Sequence, residues 1–101
     1  MNDCCSNKKD KKILEELAEM LKAMAEPNRL KILCLLSSGE KCVCKINEAL
    51  CLKQNLTSHH LKVLKDYKLI DCEKDGQWKI YSLNKKNIKK YASLFNKLLT
   101  N

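Results

Sequence analysis

"QNLTSHHLKVLKDYKLIDCEKDGQWKIYSL", residues 54–83, changes its hydrophobic period partway along. In its first half Thr57, His60, Leu61 and Leu64 fall at i, i+3, i+4 and i+7, which is one face of a helix over about 54–67. In its second half "LIDCEKDGQWKIYSL" alternates, and Asp75-Gly76 is the dipeptide expected at a two-residue hairpin turn. A helix running straight into a hairpin narrows the fold to few candidates.

Upstream, residues 11–25 place Ile13, Leu14, Leu17, Met20, Leu21 and Met24 at helical spacing. Pro27 breaks that run and suits the first turn of a second helix, about 27–37, which "SSG" ends at 37–39. A short helix over about 43–50, with Ile46, Ala49 and Leu50 inward, precedes a turn at 51–53. Downstream, Ile88, Tyr91, Ala92, Phe95, Leu98 and Leu99 stripe a last helix, about 85–99. The order is α-α-α-α-β-β-α: a mainly helical chain with one small hairpin, the winged helix-turn-helix pattern. One domain is expected over 13–101, preceded by a flexible lysine- and cysteine-bearing arm over 1–12.

Opposite the inward face of the 54–67 helix stand Asn55, Ser58, His59 and Lys62, with Gln54 at the helix start. Hydrogen-bonding and basic groups at that spacing are what reading base edges and phosphates requires. Lys74 and Lys79 flank the hairpin tip within reach of phosphates, whereas Trp78 and Tyr81 read as packing residues. The formal charge of +8 suits a polyanionic partner such as double-stranded DNA. His60 reads as a structural histidine, and no third residue orients a Cys51–histidine nucleophile, so catalysis is not expected. Neither a membrane span nor a signal peptide is evident, so a cytoplasmic protein is expected.

Seven cysteines remain: Cys4, Cys5, Cys34, Cys42, Cys44, Cys51 and Cys72. In a reducing compartment such density suggests metal or redox chemistry rather than structural disulfides. Cys34 and Cys72 read as filler within a helix and a strand. Cys42 and Cys44, between Lys41 and Lys45, open the third helix. On a regular helix they would stand about 200° apart and could share an ion only if that helix start distorts.

"AEPNRLKILCLLSSGEKCVCKINEAL" and "LTSHHLKVLKDYKLIDCEKDGQWKIYSL" resemble the ArsR/SmtB family of metal-sensing repressors over about residues 15–85. "GEKCVCKI" resembles that family's metal box, and "SHHLKVL" its recognition-helix signature. The resemblance implies a homodimer that binds operator DNA and leaves it when metal binds, with the first and last helices forming the dimer interface. It also implies sulfur ligands from Cys42 and Cys44, completed by the N-terminal Cys4 and Cys5 reaching across to the other protomer. The effector would then be a soft ion, Cd(II), Pb(II) or Zn(II), or As(III) or Sb(III), with no organic cofactor.

The chain departs from the family pattern at several positions. Cys51 and Lys68 stand where the family usually has glycine, and Lys53 where a capping serine or threonine is common. Asn47 occupies the place of a third cysteine found in some arsenic-sensing relatives. Lys85, Asn87, Leu98 and Asn101 occupy the approximate places of the family's other, carboxylate–histidine metal site, so zinc is not expected there. A redox sensor using the same thiols and a non-sensing nucleic-acid-binding winged helix are the competing readings.

Overall fold

The computed structural model describes residues 8–100. Its elements are α1 Lys8–Met24, α2 Pro27–Leu36, β1 Lys41–Cys42, α3 Val43–Leu50, α4 Gln54–Asp66, β2 Ile70–Asp75, β3 Trp78–Leu83 and α5 Lys85–Thr100. The winged helix-turn-helix order holds, with two differences in its elements. Helix α1 begins at Lys8 instead of about residue 11. A third strand, β1, precedes α3 and pairs antiparallel with β3, giving a sheet in the order β1-β3-β2.

Each helix boundary has a local cause. Pro27 occupies the first turn of α2, where its missing N–H costs no hydrogen bond. Glu26 caps the same helix, its Oε2 accepting from the Arg29 backbone N–H at 3.0 Å. Helix α3 ends on Cys51, which is left-handed at φ 54°, and the turn after α4 passes through Lys68 at φ 60°. These are the two places where the family usually has glycine, and non-glycine residues occupy that conformation at a cost. In the hairpin Asp75 still pairs with Trp78, so the two turn residues are Gly76 and Gln77. The sequence expectation of Asp75-Gly76 is thus off by one: the turn puts positive φ (64°) on its first residue, and Gly76 takes it without strain.

The core lies where α2, α3 and α4 meet the sheet. Ile32, Ile46, Leu61, Leu64, Leu69 and Ile70 are fully buried, and Leu17 and Met20 of α1 close one side. Burial of each large aliphatic side chain contributes about 1.5–3 kcal/mol. Among the described residues no buried side-chain nitrogen or oxygen lacks a partner. Ala49, expected inward, is exposed, because Ile46 and Leu50 already fill the inner face of so short a helix. Helix α5 packs mainly on α1 and buries none of its residues. Its stripe instead borders an apolar groove with α1, lined by Leu14, Leu17, Leu21, Phe95, Leu98 and Leu99.

Candidate nucleic-acid interface and thiol pair

Helix α4 turns one face wholly inward. Thr57, His60, Leu61 and Leu64 are buried, as the heptad spacing requires. His60 is a satisfied structural histidine: its Nδ1 accepts from Arg29 Nε at 3.2 Å, while Arg29 Nη1 donates to the Ala23 carbonyl at 3.3 Å. This pair ties α4 to the α1–α2 corner and fixes the angle of the helix. Gln54, Asn55, Ser58, His59 and Lys62 are consequently all exposed on the outer face. Lys62 Nζ meets Asp66 Oδ2 at 3.1 Å, an exposed i,i+4 pair that contributes little to stability.

The hairpin sets Lys74 directly opposite Lys79, so both ammonium groups emerge on one face. Like charges facing each other are unfavourable, which suits a site awaiting an anion. Next toward the core in the same row, Cys72 pairs with Tyr81. Burial, reinforced by the Cys72 thiol, pushes the Tyr81 phenol up to about 12, so it stays protonated. These two are packing residues, as expected. Trp78 is not: it is 52% exposed. Between α4 and the hairpin runs a cleft of about 540 Å³ that Trp78 shares with Gln54, Ser58, Lys62, Lys65 and Lys79. Alternation alone does not signal this, because it places a residue on a face without saying how far the core extends beneath it.

The sequence geometry of the thiols is corrected by β1. Cys42 is not helical; it is extended (φ −73°, ψ 158°) at the N-cap of α3 and paired with Ile80. The 200° separation expected on a helix therefore does not apply. The Cα atoms of Cys42 and Cys44 lie 5.4 Å apart, and the structure closes the two sulfurs as a disulfide. Cys44 is exposed and Cys42 half-buried. Lys41 points its ammonium away to Ser38 Oγ and the Gly39 carbonyl, both at 3.3 Å. Cys34, expected as filler, lies on the outer face of α2, exposed. Cys51 is also exposed, its Sγ donating to the Glu48 carbonyl at 3.4 Å. Among the described residues no group of three His, Cys, Asp or Glu side chains could hold a metal ion. Cys4 and Cys5 lie outside the described residues.

The pair sits at a junction. β1 belongs to the same sheet as the hairpin, and α3 is the partner helix of α4. One turn beyond Cys44, Asn47 Oδ1 accepts from the buried Thr57 hydroxyl of α4 at 2.8 Å. Asn47, in place of a third cysteine, thus carries a tie between the two helices.

Two short helices joined by a tight turn, a polar outward face on the second and a hairpin bearing Lys74 and Lys79 beside it define a winged helix-turn-helix protein. Residues 26–71 match the arsR family of bacterial regulatory proteins. An uncharacterised HTH-type transcriptional regulator of Methanocaldococcus jannaschii is 39% identical over 83% of this chain and 96% of its own. The arsenical resistance operon repressor of Staphylococcus xylosus is 43% identical over 69% of this chain and 67% of its own. A homodimeric winged helix-turn-helix DNA-binding domain from Mycobacterium bovis, described as a possible ArsR-family regulator, superposes with a TM-score of 0.76 at 26% identity, covering 93% of this chain and 87% of that one. The chain belongs to the ArsR family: it is a DNA-binding transcriptional regulator, not an enzyme. No described helix is long and apolar enough to cross a membrane.

Proposed function

We propose that the chain is a homodimeric repressor that releases its operator when a thiophilic ion binds cysteine thiolates. The dimer would form along α1 and α5. Phe95, Leu98 and Leu99 are 41%, 39% and 69% exposed on a helix with no buried residue, an apolar surface a second copy would cover. The related M. bovis domain, itself a homodimer, supports this. Paired α4 helices would enter successive major grooves with half-sites ~34–36 Å apart. Gln54, Asn55, Ser58 and His59 would meet base edges, Lys62 a phosphate, and Lys74 with Lys79 the backbone beyond, relieving their mutual repulsion.

The observation that carries the sensing assignment is the convergence of the Cys42 and Cys44 sulfurs where the wing's sheet meets the helix-turn-helix. In the reduced state these become two thiolates able to bind one soft ion. Cd(II), Pb(II) and Zn(II) favour three or four sulfurs, so Cys4 and Cys5 would supply the rest. The arsenical resistance repressor among the relatives supports As(III) or Sb(III) as effector. An ion held by both sulfurs pins the start of α3, which no side chain caps. That constraint reaches α4 through Asn47–Thr57 and the wing through Cys42–Ile80. Emptying an operator takes about 5.5 kcal/mol of differential binding. Polythiolate sites bind zinc with ~10–16 kcal/mol, so the supply is sufficient.

Cd(II) titration of the reduced chain tests this: a sulfur-to-metal charge-transfer band should rise and should weaken in Cys42→Ser. No band in the wild type with Cd(II), Pb(II) or As(III) would refute metal sensing. The Cys42–Cys44 bond itself supports a second reading, thiol redox sensing on the same fold. Oxidant alone, without metal, should then release DNA from the wild type and not from Cys44→Ser.

A further inference from the structure

The cleft between α4 and the hairpin carries a contact that the family assignment leaves open. It rests on the reading that α4 occupies a major groove. With α4 in one groove and the wing reaching toward the next, the strand separating the grooves must pass between them. The cleft of about 540 Å³ lies in that gap. Its rim is basic, with exposed Lys62 and Lys65 on one wall and exposed Lys79 on the other. Its exposed apolar wall is the ring of Trp78, the only tryptophan in the chain.

We propose that this cleft seats one sugar–phosphate strand of the operator duplex, with the lysines on phosphates and the Trp78 indole packed against a deoxyribose. A nucleic-acid strand alternates anionic and apolar surface, and the cleft offers cations beside one exposed aromatic ring. Lys65 and Trp78 thereby join the DNA-contacting set. The tryptophan contact is non-ionic and displaces no counterions, so it contributes affinity without salt dependence, whereas Lys65 contributes to the salt slope.

The test uses the full-length reduced chain and a fluorescent duplex carrying its own promoter, with affinity followed by anisotropy over a range of salt. Trp78→Ala should weaken binding about tenfold with the salt slope unchanged, and Trp78→Phe should recover most of the loss. Lys65→Ala should flatten the slope by about 1 per protomer. Trp78 emission in the wild type should shift on saturation with duplex, a readout that does not depend on any variant folding. Wild-type affinity in Trp78→Ala, or emission indifferent to duplex, would overturn the proposal. If Asn55→Ala and Lys79→Ala weaken binding while Trp78→Ala does not, only the cleft assignment fails. If none of them weakens binding, the major-groove reading fails and takes the cleft assignment with it.

Discussion

Helices α2 and α3 begin in opposite ways. Helix α2 starts on a proline, with the Arg29 backbone amide satisfied by Glu26 and the Arg29 side chain anchored to Ala23 and His60. Helix α3 starts on Cys42, which makes no side-chain cap, and its preceding residues are pulled into a sheet. Helix α4 likewise enters uncapped from Lys53. The secured start bears no thiol; the loosely secured starts carry the Cys42–Cys44 pair and the polar outer face of α4. A switch needs an element with two arrangements close in energy, and a well-capped helix start would oppose that.

The contrast can be broken or sharpened by substitution. The largest effect is expected at the surface neither helix start involves: Phe95→Asp should weaken self-association roughly 100-fold, measured by analytical ultracentrifugation. Next, Glu26→Ala should destabilise the chain by about 1–2 kcal/mol, and Cys42→Ala in the reduced protein should leave the melting temperature nearly unchanged. Equal losses would erase the distinction between a secured and an unsecured start. Thr57→Val should remove the tie to Asn47, lowering stability by about 1 kcal/mol and reducing the metal-induced loss of DNA affinity about fivefold. Smallest, Lys53→Ser should add a cap to α4 and raise stability by about 1 kcal/mol, or ~4–8 °C in melting temperature. Cys51→Gly should add roughly 0.5–1 kcal/mol by relieving the left-handed residue.

Much of this architecture could be read from residue order. Leu61, Leu64 and Ile46 announced their helix faces by spacing, and His60 its inward position. The left-handed turns at Cys51 and Lys68 were not legible from those residues, because neither is glycine and nothing in a cysteine or a lysine signals a positive φ. β1 was not legible. Two residues are too few to show alternation, and their strand character comes entirely from pairing with Tyr81 and Ile80, some forty positions away. That strand decides whether Cys42 and Cys44 face apart or together, so the thiol geometry depends on a pairing that the local sequence does not encode. Trp78 was misplaced for a related reason: its exposure depends on where the core ends beneath the hairpin.

The most direct trial of the account is operator affinity of the fully reduced protein, with and without saturating cadmium, lead, zinc or arsenite. At least one of these should lower affinity for the promoter duplex by orders of magnitude in the wild type, and Cys42→Ser should bind DNA normally and ignore the same ion. Unchanged affinity of the wild type with all four would contradict metal sensing at the β1–α3 junction.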